Sequence, residues 1–92
     1  MINYDIQQKE VIELKEGKTI KITVKPLFKE VINLKVEHCF SIKSVKNLIY
    51  DKINILIEDQ KLIFNEITLN NNRTLADYGI ENGNVIHLIT YY

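Results

Sequence analysis

Residues 61–88, KLIFNEITLNNNRTLADYGIENGNVIHL, restrict the possible fold more than any other part of the chain. Lys61-Leu62-Ile63-Phe64 is a bounded apolar run of strand length, and residues 85–89 form a second, with His87 as its polar interruption. Between them, Asn65-Glu66 reads as a polar turn, and Ile67 and Leu69 alternate with Thr68 and Asn70. Asn70-Asn71-Asn72 signals a loop, because Asn tolerates positive φ and bonds its own backbone. Residues 73–80 mix turn formers with Leu75, Tyr78 and Ile80. They are too apolar for a free loop and too irregular for a helix. Asn82-Gly83 marks one more turn. Two strands flanking a packed, apolar surface loop need more chain to cover them.

The upstream sequence supplies that cover. Ile20, Ile22 and Val24 alternate with Lys21, Thr23 and Lys25, as a strand with one buried face does. Pro26 ends the strand, residues 27–30 turn, and Ile32, Leu34 and Val36 alternate again, so the two strands pair as an antiparallel hairpin. Leu27 and Phe28 at the hairpin tip are not needed for a core. Ser41 is an N-cap candidate. From Ile42, the residues Val45, Leu48, Ile49 and Ile53 make one helical stripe, with Lys43, Lys46, Asn47 and Asp51 mainly on the other faces. The helix is expected to end near Lys52, with Asn54 taking the left-handed conformation that stops it. The sum is a two-layer α+β domain in which one helix crosses a mixed sheet of four or five strands. The nearly continuous apolar character of residues 85–89 suits a strand at the sheet's centre. The expected core is Ile20, Ile22, Val24, Ile32, Leu34, Val36, Ile42, Val45, Ile49, Ile55, Leu62, Leu69, Leu75, Ile80, Ile86 and Leu88. Tyr78 is expected to be half-buried, its hydroxyl bonded to backbone of the loop at 74–77.

The order Leu62-Ile63-Phe64, then Leu69, then Arg73-Thr74-Leu75 with Asp77-Tyr78 and Ile80, then His87-Leu88, closely resembles the C-terminal half of ubiquitin. The resemblance runs without a gap from Ile20 to Tyr92 and implies a β-grasp fold, in which the first and last strands are expected to run parallel at the centre of the sheet. It also implies a recognition face. Leu27, Ile63, His87 and Ile89 match the Leu, Ile, His and Val of ubiquitin's main binding patch, with Ile for Val as the one change. Phe28 and Ile67 replace polar residues of ubiquitin and would widen that patch. Glu66 stands where ubiquitin has Gly, adding charge and bulk beside Ile63. Leu56-Ile57 replaces two prolines, and Glu30, Leu48, Ile67 and Asn82 replace linkage lysines, while Lys25, Lys46 and Lys52 remain. Ubiquitin-like modifiers close with a Gly pair, whereas residues 89–92 read Ile-Thr-Tyr-Tyr, so a chain ending there is not expected to be conjugated.

Other function classes find little support. The net charge is zero and the charges interleave, so neither nucleic acid nor a membrane surface is an expected partner. One cysteine makes no internal disulfide, which suits a reducing compartment such as cytosol or nucleus. No catalytic constellation is present, so no enzyme is expected. His38 and Cys39 are neighbours that would point apart on an extended chain. One adjacent His–Cys pair and a second His 49 residues beyond the first have no metal-ligand spacing, and the scattered Gly form no phosphate loop, so no cofactor is expected. Residues 1–19 form an N-terminal extension, either a leader or linker or an extra strand near 11–14 at a sheet edge, before a domain over 20–92. The expectation is a monomeric, non-conjugating interaction domain. Its partner would be a ubiquitin-binding motif or a proteasomal receptor. Two alternatives are a modifier whose Gly-Gly tail follows Tyr92 and a structural module docking within a larger protein.

Overall fold

The structure is a computed structural model and describes residues 18–91; the readings made for residues 1–17 and for Tyr92 lie outside them. Strand β1, Thr19–Pro26, and strand β2, Ile32–Glu37, form the expected antiparallel hairpin, with Ile20 opposite Val36, Ile22 opposite Leu34 and Val24 opposite Ile32. Each of these pairs points to the same face, which is why strict alternation in sequence becomes one apolar surface. Helix α1, Ile42–Ile53, lies across that surface. β3, Gln60–Phe64, β4, Ile67–Thr68, and β5, Val85–Thr90, complete a five-stranded sheet in the order β2-β1-β5-β3-β4. β5 runs parallel to β1 and antiparallel to β3, so the last strand enters the middle of the sheet beside the first.

Both helix ends follow from local chemistry. Ser41 sits in extended backbone, and its Oγ accepts the N–H of Ser44 at 3.0 Å. At the other end Asn54 adopts φ 63°, and its N–H donates to the carbonyl of Tyr50 at 2.7 Å. The helix runs one residue beyond the expected Lys52, because Ile53 still packs against the core. Lys46 departs from expectation: it is only 7% exposed. Four residues after Ile42 it falls near the middle of the buried stripe rather than on a solvated face. Burial also lowers the pKa of its amine from the ordinary lysine value.

The irregular stretch after β4 is held by backbone. Ile42 N–H donates to the carbonyl of Arg73 at 2.8 Å, Leu75 N–H to Phe40 at 3.0 Å and Ala76 N–H to His38 at 3.1 Å. A single 3-10 turn forms at Ala76–Tyr78, stopped by Gly79 at φ 69°. Tyr78 is half-buried as expected, but its hydroxyl accepts the backbone N–H of Asn70 at 2.8 Å instead of bonding the loop at 74–77. That loop satisfies itself: Thr74 N–H donates to the Asp77 carboxylate, and Asp77 N–H donates to Thr74 Oγ1. Every expected core residue is at most 6% exposed.

Candidate functional site

The face of the sheet turned away from α1 follows from strand periodicity. Ile22, Val24, Leu62, Ile86 and Leu88 are buried beneath the helix, so their sequence neighbours face outward. Register then sets which outward residues meet. Lys25 on β1 pairs with His87 on β5, and His87 pairs with Ile63 on β3. The three form one row across three strands, with neighbouring strands about 4.8 Å apart. One step along, Ile89 pairs with Lys61, and at the other end Val85 pairs with Thr23.

Leu27, Ile63, His87 and Ile89 line a single open depression of about 780 Å³ on this face. The four residues that alternation and resemblance singled out are thus brought together. Leu27 is 67% exposed at the hairpin tip, whereas Ile63 and Ile89 are half-buried. Phe28, 94% exposed, lies outside the depression and lines a smaller adjoining recess of about 300 Å³ with Pro26, Leu27 and Lys29. Ile67 is exposed on β4, opposite Phe64, and does not line the depression. Phe64, Asn65 and Val85 also line the depression without having been given a binding role from sequence, and Leu88, expected in the core, reaches its floor. Val85 was legible: it stands two residues before His87, in phase with it, and its exposed side chain follows from that phase. Phe64 was not, because the end of β3 is where the chain leaves the alternation for a turn.

Charge is distributed unevenly around this apolar floor. Lys25 lines one side, and Lys61 stands beside Ile89. Among the lining residues Glu66 is the one acid. It belongs to the two-residue connection between β3 and β4, in which Asn65 has φ 54° and Glu66 φ 67°. Positive φ at both central positions is the type I′ turn, whose twist matches the flanking strands. Asn is accommodated there at small cost; Glu holds the same conformation at a larger one.

The remaining chemistry-bearing residues lie elsewhere. His38 and Cys39 sit in the turn after β2, closed by Phe40 N–H donating to Glu37 at 2.9 Å, and not on extended chain. Cys39 is exposed, and His38 Nε2 is buried without a hydrogen-bond partner. Among the described residues no three His, Cys, Asp or Glu side chains group as a metal site would require, and no helix is long and apolar enough to cross a membrane.

Comparison with known proteins agrees with this architecture. The sequence model of the ubiquitin family matches residues 20–90. The large proline-rich protein BAG6 of Danio rerio is 32% identical over 76 residues, which is 83% of this chain. The chain spans only 6% of that relative's length.

Proposed function

The chain belongs to the ubiquitin family, and from that premise we propose that it is a non-covalent protein-interaction module, not an enzyme. Its partners would dock on the outer sheet face through Leu27, Ile63, His87 and Ile89. The observation that carries this reading is the contiguity of those four side chains over one depression, built on three hydrogen-bonded strands. Isolated surface apolars are ordinary, but a contiguous set with a polar rim is characteristic of binding sites. Rigid strands also limit the entropy lost on docking. Phe28 extends the apolar surface through the adjoining recess, while Ile67 is exposed on β4 and lines neither hollow.

The partner that suits this face is an amphipathic helix with an apolar side chain for the depression and acidic neighbours for Lys25 and Lys61. The candidate partners are ubiquitin-binding motifs and proteasomal receptors. The likeness to part of BAG6 supports a module embedded in a longer protein; our reading has it work as a monomer in the cytosol or nucleus. The test is a backbone-amide NMR titration with a ubiquitin-interacting helix. Shifts centred on Ile63, His87 and Ile89 are expected; saturable shifts on another face, or none at millimolar peptide, would refute the reading.

A further inference from the structure

Glu66 combines two features that the fold does not require of each other. It occupies a left-handed backbone position, φ 67°, where Gly would sit without steric cost. It also lines the depression as its only acid, opposite a basic side formed by Lys25. Among the described residues, no hydrogen bond or ion pair engages its carboxylate, whose residue is exposed. The side chain therefore contributes no visible stability that would offset its strained backbone. Strain held without local compensation, beside a candidate site, is the pattern from which a functional role is properly inferred.

We propose that Glu66 is a specificity-determining residue of the docking face, selecting partners that place a cationic side chain at the β3–β4 turn and rejecting those with an acidic one there. The inference rests on the docking reading given above and adds the charge order of the partner. Across the depression that order is acidic toward Lys25 and Lys61, apolar over Ile63 and Ile89, and basic toward Glu66. Opposite charge at the rim of an interface sets specificity and association rate more than total affinity, and a like charge there acts as an element against the wrong partner. Glu66 is well placed for both effects, because it is exposed, has no hydrogen-bond or ion-pair partner among the described residues, and sits beside Asn65 and Phe64 at the depression's edge.

The test uses the whole chain and two designed amphipathic helices, identical except at one end. Both carry a leucine stripe and glutamates at the first end; the second end bears Lys in one peptide and Glu in the other. The wild-type chain is expected to bind the Lys peptide about five-fold more tightly at low salt, with the preference shrinking as salt is raised. Glu66→Gln, which keeps the bulk and removes the charge, is expected to abolish the preference while both peptides still shift Ile63 and His87. Selection by Glu66 is overturned if the wild-type chain binds both peptides equally through those residues, or if the preference survives in Glu66→Gln. If neither peptide perturbs Ile63 or His87, the docking face itself is refuted and the selection falls with it.

Discussion

Glu66 and Lys46 are two of the described residues that the fold holds at a cost. For Glu66 the cost is in backbone: a β-carbon at φ 67° crowds the neighbouring carbonyl. Glu66→Gly is expected to stabilise the fold by about 1 kcal/mol, the left-handed penalty less the extra entropy Gly brings to the unfolded chain. Urea denaturation measures this, and an unchanged midpoint would mean that the turn is not strained. For Lys46 the cost is electrostatic. Its folded-state pKa is lowered by burial, so the charged amine is disfavoured in the folded state. The destabilisation is fully present below the lowered pKa. It fades as pH rises toward the ordinary 10.5, above which folded and unfolded chains both hold a neutral amine. Lys46→Met keeps the apolar stem and is expected to add about 1 kcal/mol at pH 7, with a smaller gain near pH 10.5. A loss at pH 7 would show that the ammonium makes a favourable interaction. Sequence reasoning placed Lys46 outside because it weighed residue type above phase; the four-residue spacing from Ile42 already pointed inward.

Between elements, Gln60 is the connection that packing alone does not supply. It begins β3, is 3% exposed, and its Nε2 donates to the carbonyl of Lys46 at 3.0 Å and to that of Ile55 at 2.9 Å. One side chain thus ties the helix and the segment after its C-cap to the sheet. Gln60→Leu keeps comparable volume and leaves those buried carbonyls without these donors, so a loss of about 2 kcal/mol is expected in thermal unfolding. A change within about 0.5 kcal/mol would mean that other donors satisfy both carbonyls. The strands and the helix were legible because period-2 and helical spacing report burial directly: Ile20–Ile22–Val24 and Ile42–Val45–Ile49 needed nothing else. Pairing around the 70–80 loop was not legible. Tyr78 bonds Asn70 rather than the nearer Thr74 and Asp77, because those two residues satisfy each other's N–H groups. Such competition among polar partners has no period to betray it.

At the scale of the molecule, the sheet presents two surfaces of different character. One is sealed by α1 and holds the core; the other carries Leu27, Ile63, His87 and Ile89 in one depression. Alternation told which residues face outward, but only strand order told which of them meet, since residues 25, 63 and 87 become neighbours through β5 entering between β1 and β3. The resemblance to ubiquitin provided that order in advance; periodicity alone did not. The most direct test of the docking face is the NMR titration with a ubiquitin-interacting helix, run on the wild-type chain and on Ile63→Ala. The wild-type chain is predicted to show shifts centred on Leu27, Ile63, His87 and Ile89. Ile63→Ala is predicted to keep a dispersed, folded spectrum while binding about 2 kcal/mol more weakly, roughly thirty-fold. Equal affinity in the two chains, or shifts that avoid this face, would contradict the account.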